Sequence, residues 1–363
     1  MAAARIRIGV VGCGLISQVM HLPYLSELAD RFELVAVCDI AAEVAGGCAE
    51  RYGVSRVFSR WEDLIAEPLD AVLVATSGDH APIAIAAARA GRHVMVEKPL
   101  ALCSRDGELV LEAGRDAGVC VLVGTMKRYD PAYERLAELL PDVEDVRLIR
   151  VTTLESPITP HVAHYPLIER DGKPGHLPPE LEQAEQAAID AAVGDAGEET
   201  RWCYRRIVVQ TLVHEFNMLG GLLGEPDEIR SVSLSPQCVA VNMRFGEAEC
   251  HLSWVLLPGI ARYRQELAFY APGKRLTLEL PSPFLRSMPS RLIVEGGDVG
   301  TAHNWQREEV VSYDEAFKRE LVEFADCIAT GREPRTSAAD GLRDVRLAEA
   351  VARADAATRA RSG

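Results

Sequence analysis

Gly12-Cys13-Gly14-Leu15-Ile16-Ser17 follows directly on the β-branched run Ile6, Ile8, Val10 and Val11, and Asp39 ends the next apolar run, Leu34 to Val37. This spacing fits a dinucleotide turn, loosely at its third position. Gly12 permits a tight turn, Gly14 lets the backbone approach a pyrophosphate, and Ser17 supplies the small residue needed where helix meets strand. The helix that opens there aims free N–H groups and a positive dipole end at the phosphates, with Cys13, Leu15 and Ile16 lining the turn. Asp39, about twenty residues past the glycines, can accept both ribose hydroxyls and repels a 2′-phosphate. Nothing basic follows it in Ile40-Ala41-Ala42-Glu43, so NAD is expected and NADP is less favoured. The alternative is a glycine turn in some other α/β protein.

A second group is Glu97-Lys98-Pro99, at the end of His93-Val94-Met95-Val96. Proline forces an extended turn there, and the carboxyl end of a parallel strand is where such sheets place ligands. A partly desolvated lysine beside a positive nicotinamide has its pKa lowered towards the range in which it deprotonates an alcohol. The bland alternative is a surface lysine paired with Glu97. The small-residue loop Thr76-Ser77-Gly78-Asp79-His80, at another strand end, adds Thr76, Ser77 and His80 to the residues expected at the cofactor.

A third group lies on a helix expected from Trp202 to Leu223. Steps of four and three put Gln210, His214 and Asn217 on one polar face of an otherwise apolar helix, which suggests a pocket; the alternative is a satisfied core histidine. Gln210 can hydrogen-bond but cannot carry a proton. His161 and His164 stand in a proline-rich stretch without a third ligand at a recognisable spacing, so no metal is expected. A lid in which His164 touches a hydroxylated substrate is the better reading. Tyr24, Trp202 and Trp254 are read as core aromatics.

The elements that position these groups alternate strand and helix as far as Gly124, which means a doubly wound parallel sheet of the Rossmann type in an α/β protein. From Ile229 to Glu279 the residues alternate apolar and polar, as in an antiparallel sheet packed on one face. Between them, 156–200 carries six prolines, three histidines and an acidic helical stretch, and reads as an excursion over the sheet. Two helices close the chain, the first expected to begin with a capping box of Ser312 and Glu315.

With 363 residues the chain suggests two domains, 1–125 for the dinucleotide and 126–363 for substrate binding and oligomerisation. A net charge of −15 argues against nucleic acid and anionic membranes. Nine scattered cysteines without a C-x-x-C pair suit thiols, most of them buried, in a reducing cytoplasm. No apolar run approaches about 20 residues, so neither a membrane span nor a signal peptide is expected.

The order GCGLIS, CD, TSGDHAP and HVMVEKPLA resembles the glucose-fructose oxidoreductase, inositol dehydrogenase and MocA family of NAD(P)-dependent oxidoreductases, closely from Arg5 to about Pro131 and more loosely beyond. The resemblance implies a C-terminal α/β domain with a large open, mainly antiparallel sheet, often used for oligomer contacts, hence a homodimer or homotetramer. It implies a lysine acid/base at Lys98 beside a helix bearing D-x-x-x-H, and sugars or cyclitols as substrates. His214 matches the histidine, whereas Gln210 stands at the aspartate position. It also implies that the segment of Lys127 and Tyr129 lines the crevice, with ordinary interdomain packing as the alternative. The function expected is hydride transfer between NAD(H) and a secondary alcohol carbon of a sugar, glycoside or cyclitol. Relatives that use the cofactor transiently in elimination or glycoside cleavage, or that have become sensors, supply the alternatives.

Overall fold

Strand β1 (Ile6–Val11) runs through the middle of a parallel sheet, which is why its second half carries no polar side chain. The structure, a computed structural model, describes residues 5–170 and 178–362. The chain divides into two compact units, one of Met1–Thr125, Tyr165–Gly194 and Phe317–Arg346, the other of Met126–His164, Asp195–Ala316 and Leu347–Gly363.

In the first unit β1 is joined by β2 (Phe32–Cys38), β3 (Arg56–Phe58), β4 (Ala71–Val74), β5 (His93–Glu97) and β6 (Val121–Gly124) in the order 3-2-1-4-5-6. All the pairings are parallel. The order reverses between β1 and β4, so the crevice lies outside their carboxyl ends, at Gly12 and Thr76. Helices Ala42–Tyr52, Ala81–Arg89 and Ser104–Ala117 follow their strands, and Val72, Val74, Val94, Val96, Ala84 and Ala87 form part of one buried cluster. Two distant segments complete this unit. Thr336 pairs with the β6 edge through Val123 N to Thr336 O (2.8 Å) and Thr336 Oγ1 to Val123 O (2.7 Å). Ile168 pairs with the Gln18 side chain, its N–H donating to Oε1 (2.7 Å) and its carbonyl accepting from Nε2 (3.0 Å). The acidic stretch is the helix Pro179–Val193 of this same unit; the remainder of the expected excursion at 171–177 lies outside the described residues.

The second unit is built on eight strands: β7 (Leu148–Glu155), β8 (Glu228–Leu234), β9 (Cys238–Phe245), β10 (Ala248–Leu256), β11 (Arg264–Ala271), β12 (Lys274–Leu280), β13 (Arg291–Gly297) and β14 (Asn304–Glu309). Their order is 14-13-12-11-7-10-9-8, antiparallel except for β7 with β10. The sheet therefore extends two strands past Glu279.

Three expectations need correction. The capping box does not form: the helix begins at Ala316, the Ser312 hydroxyl accepts the Asp314 N–H (3.0 Å), and the Glu315 carboxylate accepts the Ser287 N–H (3.0 Å). Trp202 is 45% exposed, not core, because it lies on the outer side of the short helix Glu198–Cys203, whereas Tyr24 and Trp254 are buried. The helix carrying Gln210 is π-helical from Tyr204 to Leu212, between the α-helical Glu198–Cys203 and Val213–Leu223. A π turn holds more residues than an α turn, so the four-residue step from Gln210 to His214 does not by itself set them on one face.

Candidate active site

The glycine turn has a specific steric origin. Gly12 has φ +96°, and a Cβ there would lie 2.5 Å from the Ala75 carbonyl group and 2.6 Å from the Thr76 nitrogen. Only glycine lets β1 and β4 leave the sheet this close together. Gly14 is the opposite case: it is exposed and a Cβ would meet nothing within 4 Å, which leaves open space over its backbone. Ser17, at the third position, is buried and donates its hydroxyl to the Gly12 carbonyl (2.5 Å). The chain continues there as a π turn, Ser17–His21, before the α-helix Leu22–Glu27.

Asp39 is tied into the same turn, its Oδ2 accepting the Cys13 N–H and its Oδ1 the Ala41 N–H, each at 2.8 Å. The Cys13 thiol is buried and held protonated by its hydrogen bond with Cys48 and by burial, so this residue contributes backbone rather than reactive sulfur. Leu15 and Ile16 are half-buried at the helix start, and Ser77 is exposed. The Thr76 hydroxyl is buried and has no partner among the described residues, which leaves it available to a ligand. An open backbone at Gly14, an anchored carboxylate at Asp39 and an orphaned hydroxyl at the switch point fit a dinucleotide.

Lys98 follows β5 and is half-buried, and its peptide bond to Pro99 is cis. Its neighbours on both sides are fixed. The buried Glu97 places Oε1 2.7 Å from His21 Nε2 and accepts the Lys98 N–H on Oε2 (3.2 Å). Burial pushes the Glu97 carboxyl up, but the His21 hydrogen bond and the charges of His21, Lys98 and His80 outweigh it and hold it below its usual value. His80, also buried, faces the Pro99 carbonyl with Nδ1 (2.7 Å) and the Thr76 carbonyl with Nε2 (2.8 Å). Both of its ring nitrogens are thus engaged by backbone.

Among the described residues, His21, Glu97 and Glu320 are the group of metal-ligand types that comes together, with atoms within 4.8 Å of one another. The direct 2.7 Å contact of His21 with Glu97 marks a hydrogen-bonded pair rather than an open cation cradle.

In the second unit, Lys127 lies in the turn Met126–Tyr129 and is buried, as is Tyr129. Lys127 Nζ donates to Gln265 Oε1 (2.5 Å) and to the Tyr263 hydroxyl (3.4 Å). Gln265 and Thr153 are direct cross-strand partners on β11 and β7, and both donate to Glu215 Oε1, at 2.6 and 2.5 Å. Glu155, next but one along β7, accepts the Trp254 indole N–H (3.4 Å). Burial raises its carboxyl above the usual range against the pull of Trp254 and Lys127. Burial, with the charges of Glu215 and Glu155, raises the Tyr263 phenol. Asn217 is buried and His214 and Gln210 are half-buried on the neighbouring helix; His164 is exposed. His161 is buried between the Ser282 hydroxyl (2.6 Å) and the Ala261 carbonyl (2.5 Å), a satisfied structural histidine.

Sequence reading missed Glu215, Gln265, Thr153, Glu155 and Tyr263. A signal was present. Gln265 shares the inward positions of β11 with Leu267 and Phe269, and Thr153 and Glu155 share those of β7 with Ile149 and Val151. Polar side chains at packed positions mark a buried network.

Residues 6–125 match the model of an oxidoreductase family with an NAD-binding Rossmann fold. The inositol 2-dehydrogenase of Salmonella typhimurium is 32% identical over 164 residues, 44% of this chain and 46% of that protein, so the match spans less than half of that relative. Inositol 2-dehydrogenase 3 of Saccharopolyspora erythraea is 27% identical over 344 residues, 93% of this chain and 89% of that one. Among solved structures, KijD10, a 3-ketoreductase from Actinomadura kijaniata in complex with NADP, superposes with a TM-score of 0.73 at 20% identity, over 97% of this chain and 98% of the other. The UDP-N-acetylglucosamine 3-dehydrogenase GnnA from Acidithiobacillus ferrooxidans gives 0.73 at 18% identity, over 98% and 99%. At such identities these two likenesses are of fold. Residues 6–125 thus carry the NAD-binding Rossmann fold of this oxidoreductase family, and the chain as a whole, with its second, mainly antiparallel sheet, has the fold of these neighbours.

Proposed function

We propose that the protein is an NAD-dependent oxidoreductase that moves a hydride between the cofactor and a secondary hydroxyl or keto carbon of a sugar, glycoside or cyclitol. The observation that carries this reading is Lys98, fixed at the carboxyl end of β5 on the side of the sheet where Gly12 and Thr76 form the switch-point crevice. The inositol dehydrogenase relatives supply the substrate class.

In this reading the turn Gly12-Cys13-Gly14-Leu15-Ile16 holds the pyrophosphate, Asp39 the ribose hydroxyls, and Thr76, Ser77, His80 and Glu97 shape the crevice around the nicotinamide. When bound, NAD supplies the hydride acceptor. Lys98 takes the hydroxyl proton during oxidation and returns it during reduction. His214 shares or orients that proton, and Gln210, Asn217, His164, Tyr129 and Lys127 orient the sugar, Gln210 by hydrogen bonding alone. NAD is favoured over NADP because the Asp39 carboxylate, held by two backbone N–H groups, cannot turn away from a 2′-phosphate. The same reading includes a homodimer or homotetramer through the sheet face opposite Gln265, where Arg150, Glu266, Arg264, Glu279 and Arg291 form a row of ion pairs. Light scattering tests the assembly, and a solely monomeric species at micromolar concentration contradicts it.

The activity is tested by offering a panel of inositols, sugars and glycosides with NAD⁺ and following NADH absorbance. NADH formation with at least one member is the expected result; a panel without any turnover contradicts the redox assignment.

A further inference from the structure

Two buried histidines hold the residues that flank Lys98 in the sequence, His21 on Glu97 and His80 on Pro99. His21 comes from the π turn after the glycines, fully buried, with Nε2 on Glu97 Oε1 (2.7 Å). Its Nδ1 is buried and has no hydrogen-bond partner among the described residues, so the one bond its ring makes in the interior goes to Glu97. The ring is further held edge-on by Phe317, with centroids 5.7 Å apart, and a Glu320 carboxylate atom lies within 4.8 Å of both partners. Glu97 passes this constraint on through Oε2 to the Lys98 N–H.

His80 holds the residue after Lys98. Its two nitrogens face two backbone carbonyls, those of Pro99 and Thr76, at 2.7 and 2.8 Å. A carbonyl only accepts, so both contacts are hydrogen bonds only when both nitrogens carry protons. The ring thereby staples the residue after Lys98 to the loop that follows β4.

We propose that His21 and His80 are positioning residues, one pinning Glu97 and the other Pro99, which together fix the direction in which the Lys98 amine leaves the sheet. This rests on the reading of Lys98 as the acid/base. A general base must lie within about 2.6–3.2 Å of its proton, and a displacement of about 1 Å can cost on the order of 100-fold in rate. The strand end alone does not supply that precision, because the residue it must hold is the first beyond β5.

The test compares His21→Leu with His21→Gln and His80→Leu with His80→Asn, in the full-length protein, on whichever substrate the panel yields. The leucine variants are expected to lose about 10- to 100-fold in kcat while KM, and for His21→Leu also NADH affinity read by fluorescence, stay within about twofold. The amide variants, which keep one donor each, are expected to recover most of the loss. Histidine ring-nitrogen NMR on the unaltered protein with NADH bound gives a readout independent of turnover and of variant folding: His80 is expected with both nitrogens protonated. Leucine variants with near-normal kcat, losses confined to NADH affinity, a His80 with one bare nitrogen, or a tightly bound divalent metal found at His21 by elemental analysis would each overturn the proposal. If the panel yields no substrate, the redox reading fails while the NMR result still decides whether the clamp exists.

Discussion

The Asp39 carboxylate accepts the N–H of Cys13 at 2.8 Å, so the acid at the end of β2 and the glycine turn at the end of β1 are one structural unit rather than two neighbouring motifs. With the Ala41 N–H on its other oxygen, also at 2.8 Å, the carboxylate is held at the turn from two sides.

Replacing Asp39 by Asn retains an acceptor for Cys13 and removes the charge. The preference for NAD over NADP should narrow by about tenfold or more, ~1.4 kcal/mol, as the repulsion of a 2′-phosphate is lost. The ratio of kcat/KM for the two cofactors checks this, and an unaltered protein that uses both equally would show the assignment of Asp39 to be wrong.

Gly12→Ala should be severe for a reason visible in the backbone. The new Cβ would sit 2.5 Å from the Ala75 carbonyl at a φ of +96°. A cost of about 1–3 kcal/mol is expected from the backbone conformation alone, with NADH binding lost as β1 and β4 are forced apart. Thermal melting and NADH fluorescence measure both effects; a variant that melts and binds like the parent contradicts the steric account.

The buried network of the second unit predicts an asymmetry. Glu215→Ala strands the Gln265 amide and the Thr153 hydroxyl without their acceptor, and should cost about 2–4 kcal/mol. Glu215→Gln keeps an acceptor and should cost less than half as much. Denaturant midpoints separate the two, and equal losses would mean that charge, not hydrogen bonding, holds the network.

How far the sequence reveals this molecule depends on where a residue's partners lie. The parallel unit is legible because Ile8 to Val11 of β1, β4 and Val94 to Val96 of β5 are buried without a polar side chain, and because Gly12 and Asp39 sit at fixed distances along the chain. Strand β14 is not, since every residue from Asn304 to Glu308 is exposed and no burial pattern forms. The π turns at Ser17–His21 and Tyr204–Leu212 are likewise hidden, because a reading with a 3.6-residue period cannot register a local change of pitch. His21 and Glu215 are missed for one shared reason. Their partners Glu97 and Gln265 are 76 and 50 residues away, and only the fold brings them together.

Acid should expose a separate contribution to stability. Glu323 takes two hydrogen bonds from Arg332, at 2.8 and 2.6 Å, and one from the Arg335 N–H, and the Arg332 bonds hold its carboxyl below the ordinary 4.5 despite burial. A carboxyl lowered in the folded state adds stability above its unfolded pKa and loses it as pH falls through the folded value. Arg332→Ala should therefore cost about 1–2 kcal/mol near neutral pH, discounted for the partial exposure of the arginine, and progressively less in acid below the carboxylate range. Urea midpoints across that interval check the sign: a penalty that grows on acidification contradicts it.

Whether the Lys98 amine carries the proton is decided by the turnover of Lys98→Met. Methionine keeps the length of the side chain and removes the amine. With the substrate found by the panel, kcat should fall by about 10²- to 10⁴-fold while NADH binding stays within about twofold; near-normal turnover of this variant would contradict the account and make His214 the first candidate for the base.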